Sequence, residues 1–106
     1  MKKDNLNNFI KGWFIGDFEP SILKTCDFEI AIKKYKSGDY ENSHCHKIST
    51  EITVLIQGEV EMNGVKYVEN DIIMINPNEY TDFKCLKDVI TLVIKTPSMS
   101  EDKYLK

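Results

Sequence analysis

The chain has 106 residues, a net charge of −3 at neutral pH with a pI near 5.4, and 42% hydrophobic against 29% charged residues. That is one domain by size and an ordinary globular composition, without the basic stripe that marks a nucleic-acid binder. No apolar run approaches the roughly 20 residues needed to span a bilayer. Residues 1–8 carry two lysines with no apolar run behind them, so no secretory signal is read there. The three cysteines, Cys26, Cys45 and Cys85, are an odd number with no pairing pattern. They read as reduced thiols, and the expected location is cytoplasmic.

In chain order, residues 1–12 are polar and rich in Asn and Lys, a flexible leading segment. Trp13-Phe14-Ile15-Gly16-Asp17-Phe18 is an aromatic run that reads as an edge strand or docking arm. Packing across one end of the domain is the plainer reading of its aromatics, a substrate role the sharper one. Asp27–Tyr35 alternates apolar and polar residues, the period of a half-buried strand. Ser37-Gly38-Asp39 turns, and Asn42–Ile48 carries the chain's two histidines. Glu51–Gln57 is a strand ended by Gly58. Glu59–Met62 and Val65–Val68 flank Asn63-Gly64, a strong signal for a type I′ hairpin turn. Ile72–Ile75, Tyr80–Leu86 and Val89–Lys95 complete the strands, Thr96-Pro97-Ser98 ends the sheet, and residues 99–106 form a charged tail. Short strands every 8–12 residues, with no sustained helical period and no repeat, predict an all-β sandwich or barrel.

The chemistry concentrates between Gly38 and Gly58. His44 and His46 are two positions apart, and on a strand such residues share a face, roughly 6.5–7 Å apart. Glu51 adds a carboxylate a few residues on. Two imidazoles and one carboxylate suit a divalent cation and leave coordination positions open. Cys45, between the histidines, faces away and is not counted as a ligand.

This spacing (Gly38, five residues, His44, one, His46, four, Glu51, six, Gly58) resembles the first signature of the cupins. The resemblance implies a single cupin-type antiparallel β-barrel, or double-stranded β-helix, over residues 13–98, with a metal pocket inside. Asn70-Asp71 through Pro77 to Phe83 resembles the second signature, with asparagines in place of two glycines. The family's third histidine is absent, and Thr81 stands in its register. Asp82 is a possible fourth ligand if a bulge turns it inward. Thr81, Cys85 and Tyr80 are the weak candidates for proton transfer, and Tyr35 and Tyr40 also lie near the expected mouth. A thiol at Cys85, close to a cation, would have a lowered pKa.

Two functions follow. One is a metal-dependent enzyme acting on a small polar or anionic molecule with Fe, Mn, Ni or Zn. The other is a non-catalytic or metal-free module binding a sugar, sugar nucleotide or small acid. Ile52, Val54 and Ile56 make the face of their strand opposite Glu51 wholly apolar. A face of that kind is normally covered. A homodimer, by sheet packing or exchange of the N-terminal arm, is expected, with a local loop or the tail as the other possible cover.

Overall fold

A computed structural model describes residues 1–105 as two β-sheets packed face to face. The strands are β1 (Trp13–Gly16), β2 (Leu23–Lys24), β3 (Glu29–Tyr35), β4 (Tyr40–Cys45), β5 (Thr50–Gln57) and β6 (Glu59–Met62). They continue with β7 (Val65–Val68), β8 (Ile72–Ile75), β9 (Thr81–Cys85), β10 (Val89–Thr96) and β11 (Tyr104–Leu105). One sheet runs β2-β1-β3-β10-β5-β8 and the other β11-β4-β9-β6-β7. The class is all-β, but the ladders form two sheets rather than one closed barrel, and β1 pairs β2 in parallel. Among the described residues no helix is long and apolar enough to cross a membrane.

Local chemistry explains the turns. Asn63 and Gly64 take φ of 50° and 80°, the two left-handed positions a type I′ turn requires. Asn70 and Asn78 take φ of 76° and 71°, conformations that Asn tolerates better than most residues. Gly12 is held more tightly still: at φ +83° a Cβ there would lie 1.9 Å from the Ile32 carbonyl oxygen. This close approach sets the entry of β1, so that Trp13 pairs with Ala31.

The core between the sheets is built on Leu55, Val60, Met62, Phe83, Cys85 and Val89. It fills one end of the sandwich and leaves the other to polar side chains. Strand register shows an unusual division across the six-stranded sheet. On its outward face Ile32, Leu92, Val54 and Ile72 form one row. Ile30, Ile94, Ile52 and Met74 form the next. The N-terminal segment, two 3-10 turns at Leu6–Asn8 and Ile10–Gly12, lies by Ile32 through Leu6 and Phe9. That local cover stops at β3: Ile72 and Met74 remain 68% and 60% exposed. Ile56, expected to extend the row, sits at an irregularity opposite Ile90 and Thr91 and is exposed.

The tail also does more than carry charge. Tyr104 and Leu105 pair with Cys45 and His44 as an added edge strand, and the Lys47 ammonium lies 4.1 Å from the centre of the Tyr104 ring. Lys106, the last residue of the expected tail, lies outside the described residues.

Candidate functional site

A cavity of about 230 Å³ opens between the sheets at the polar end. His44 and His46 reach it from β4 and the turn after it, Glu51 and Thr53 from β5, and Thr81 from β9 directly across from His44. The structure therefore brings together around one cavity, from both sheets, the four residues that the first signature and the Thr81 register singled out.

Both histidines are oriented from behind. His44 Nδ1–H donates to the Asn42 carbonyl (2.9 Å), and His46 Nδ1–H donates to the Asp102 carbonyl. A carbonyl can only accept, so in the neutral rings the proton sits on Nδ1 and Nε2 keeps its lone pair. That is the tautomer of a metal-ligating imidazole with a carbonyl behind it. His46 Nε2 lies 3.5 Å from Glu51 Oε1, and the His44 and His46 ring centroids are 5.6 Å apart at 83°. Thr53 donates to the other Glu51 oxygen at 3.2 Å. Burial pushes the Glu51 carboxyl up, but the His46 hydrogen bond, the Lys95 charge and the Thr53 hydroxyl outweigh it and hold the group below its ordinary value.

A lone pair on Nε2 facing a carboxylate oxygen is a repulsive contact unless a positive charge is shared between them. A second proton on His46 supplies that charge, and so does a cation. By donor type, two imidazoles and a carboxylate fit a divalent metal. As the side chains stand, no group of three or more His, Cys, Asp or Glu residues among the described residues is arranged to hold an ion. His46 and Glu51 form the close pair, with His44 next along the wall.

Asp102, not singled out from the sequence, organises the turn beneath His46. Its carboxylate accepts from the backbone N–H groups of Lys47 (3.0 Å), Ile48 (3.1 Å) and Ser49 (2.9 Å). Burial raises its carboxyl, yet these three donors, with the nearby His46, bring it below its ordinary value. The tail thus orients a candidate ligand from 56 residues away.

Three of the sequence candidates stand elsewhere. Asp82 accepts from the Asn63 N–H at 2.7 Å while its own N–H donates to the Asn63 side chain at 3.2 Å. It braces the hairpin and lies outside the cavity wall, because no bulge in β9 turns it inward. Cys85 is buried in the apolar core, and burial, then Asp39 and Glu41, raise its thiol to about 11, the reverse of the lowered value expected beside a cation. Tyr80 lies outside the cavity wall and hydrogen-bonds the Cys45 thiol, which raises its phenol above its ordinary value. Tyr40 is 56% exposed.

Other wall residues were not legible by simple alternation. Glu41 is three positions from His44, so a regular strand would point them apart. The β4–β9 register shifts between them, and both face inward. Tyr35 donates to Glu41 at 3.3 Å, and burial followed by the Glu41 charge raises its phenol far above the usual value, which keeps it a donor. Farther across the six-stranded sheet, beyond the Lys95–Glu51 register pair, Trp13 has the Lys33 ammonium 5.4 Å and the Lys95 ammonium 5.0 Å from its ring centre. Burial lowers the Lys33 ammonium below its ordinary value.

Comparison with protein-family models and with curated protein sequences returned no match. Solved structures do match. KdgF from Halomonas sp. is 20% identical, over 73% of this chain and 76% of that one, with a TM-score of 0.65. An RmlC-like cupin from Shewanella frigidimarina is 16% identical over 73% and 72%, with a TM-score of 0.66. The DMSP lyase DddQ from Ruegeria pomeroyi is 16% identical over 89% of this chain, which spans about half (49%) of that protein, at a TM-score of 0.73. At these identities the likeness is one of fold alone.

Proposed function

We propose that this chain, whose fold is that of the cupins, holds a divalent cation with His44, His46 and Glu51 and acts on a small polar or anionic molecule. The observation that carries this reading is the contact of His46 Nε2 with Glu51 Oε1 at 3.5 Å, an imidazole nitrogen and a carboxylate oxygen brought together at the cavity with a carbonyl fixed behind the ring. A bound cation would supply Lewis-acid polarisation of a carbonyl or hydroxyl. The chain's own residues supply the rest. Glu51 serves as a ligand, and Thr81 offers a hydroxyl where the family has a third imidazole. Glu41 is the wall carboxylate left to take a proton, with Tyr35 holding its side chain in place. An enzyme, the DMSP lyase DddQ, occurs among the structural neighbours, which favours the catalytic form of the reading.

The second reading, a metal-free binding module, draws support from the lack of a preformed three-ligand group and from Thr81 in the histidine register. The cavity also limits what either form accepts. At about 230 Å³ it falls below the roughly 300–1,000 Å³ of drug-sized sites, which favours a small acid or sugar over a sugar nucleotide. Elemental analysis of protein purified without a histidine tag separates the two. About one equivalent of Fe, Mn, Ni or Zn, falling to a tenth or less in His46→Ala, is expected; the metal found reflects relative affinity as well as supply. Metal-free protein that also fails to take up added Mn or Zn would defeat the reading.

The working assembly we infer is a homodimer, with a second copy on the outward face of the six-stranded sheet. At about 4.8 Å between strands and 3.3 Å per residue, the two rows beyond β3 span roughly 190 Å² in plan before side-chain relief is counted. That is about a quarter of a standard interface's share per partner, so a second copy must also cover side chains flanking the two rows. The two rows contain no charge to repel an identical face. Two such sheets can pack about 10 Å apart as in any sandwich.

A further inference from the structure

We propose that Lys33, Lys95 and Trp13 form the receptor for the anionic group of a small acid, a carboxylate or phosphate compound of about eight non-hydrogen atoms. Its other end lies toward His46 and Glu51. The inference rests on reading this cavity as the ligand site, but it does not require the metal.

Charge comes first. Four lysines (11, 33, 95 and 103) and two glutamates (41 and 51) border the cavity, a balance of two positive charges in a chain whose net charge is −3. Two of the lysines converge on a single indole, 5.4 Å and 5.0 Å from its centre. A cation over an aromatic face is a favourable contact, but a second cation on the same ring adds repulsion that the ring does not cancel. Among the described residues neither Lys33 nor Lys95 makes an ion pair. The carboxylates beside Lys95 in the sheet register hold other partners and neither forms an ion pair with it, although its charge acts on Glu51. Glu29 accepts from the Ser98 hydroxyl and the Met99 N–H, and Glu51 from Thr53, with His46 against it. A half-buried, unpaired lysine is a poor structural choice on a strand where an aliphatic residue would pack.

A second observation points the same way. Thr91, level with Lys33 in the β3–β10 register and in the cavity wall, is 1% exposed, and its hydroxyl has no hydrogen-bond partner among the described residues. Buried hydroxyls are ordinarily satisfied. Two ammonium groups with no ion pair and an orphan hydroxyl on one wall are three donors that an oxyanion would complement, in a cavity whose two carboxylates are outnumbered by its lysines. Size follows from the volume: at about 30 Å³ per water, the cavity has room for about eight water-sized groups.

Trp13 is the only tryptophan, so its emission reports on this end of the cavity directly. Metal-stripped protein is titrated at neutral pH and constant ionic strength with succinate, glycerol 3-phosphate and erythritol, the last a neutral match to succinate in size. The expected result is a saturable change with at least one anion and none with erythritol, with affinity at least tenfold weaker in Lys33→Gln and in Lys95→Gln. Response to succinate alone assigns a carboxylate, and response to glycerol 3-phosphate alone a phosphate ester. Because the titration uses metal-stripped protein, an anion response in protein that takes up no added Mn or Zn defeats the metal reading alone, so failure of that reading leaves a different trace from failure of this one. A readout that needs no variant is acetylation of lysines in the native protein. Saturating anion slows it at least fivefold at Lys33 and Lys95 and leaves the exposed Lys66 and Lys87 unchanged. An anion response equal to that of erythritol, or one unaltered in both glutamine variants without protection of either lysine, overturns the proposal.

Discussion

The two faces of the six-stranded sheet reverse the usual order. Its inward face carries Glu29, Lys33, Glu51 and Lys95 among smaller residues, whereas its outward face presents two rows of four aliphatic side chains with no charge. Each strand alternates as an amphipathic strand should, yet the polar side is the one enclosed. Hydrophobicity marks which side of a strand seeks cover, without saying whether the cover is the domain's own core or another surface. Here the aliphatic core is confined to the end of the sandwich around Leu55, Phe83 and Val89, and the rest of the interior is a cavity with polar side chains in its wall.

The largest test of this contrast targets the outward face. Wild-type protein should sediment at twice the 12.3 kDa chain mass at micromolar concentration, and Ile72→Lys with Met74→Lys should sediment at the chain mass, with the dimer at least 100-fold weaker. Both side chains are exposed in the single chain, so the fold survives the change. A monomeric wild type would leave the outward rows without an explanation. Next in size is Asp102→Ala. It strips acceptors from three backbone N–H groups beneath His46 and should cost about 3 kcal/mol, on the order of 15 °C in the thermal midpoint, read by calorimetry. A shift within 2 °C of wild type, roughly the cost of an ordinary surface change, would mean that the tail does not hold the site.

The inward face can be tested by making it conventional. Lys33→Ile should gain up to about 1 kcal/mol in urea unfolding while losing the response of Trp13 to anions, the exchange expected where a polar group serves binding rather than stability. A loss of stability would mean that Lys33 is structural. The smallest effect concerns thiols. Burial raises the Cys85 thiol to about 11, so at pH 8 it holds far less thiolate than an ordinary cysteine. One thiol per native chain, the exposed Cys26, should react promptly with a disulfide reagent, and all three should react after unfolding. Native reactivity at Cys85 should climb about tenfold per pH unit until pH 11, as the thiolate fraction does. Peptide mapping that finds Cys85 modified as fast as Cys26 at pH 8 would contradict its place in the core.

Much of this molecule could be read from spacing. Asn63-Gly64 predicts its hairpin because only a few residue types tolerate two left-handed positions. His44, His46 and Glu51 predict a shared wall because strand geometry converts offsets into faces. The bare outward face was visible in Ile52, Val54 and Ile56, and the same reasoning extends to Ile30 and Ile32 in β3 and to Leu92 and Ile94 in β10. That extension places Lys33 and Lys95 inside. What resisted reading depended on irregular or distant geometry. Glu41 enters the cavity through a register shift that leaves no local signature, while Asp82 stays out because β9 has none. Cys85 shares the parity of Thr81 but lies at the apolar end, a distinction set by position along the strand rather than by side. Asp102 meets His46 only because β11 closes against β4, and nothing in a charged tail announces that.

That last contact has a bearing on how the protein is made. His46 is synthesised 56 residues ahead of the carbonyl that fixes its ring. At 5–20 residues per second the imidazole waits about 3 to 11 s for its partner. Through that interval His46 has no carbonyl behind its ring, whereas His44 already has that of Asn42. The orientation of the His46 ring is therefore completed late, once β11 has docked on β4.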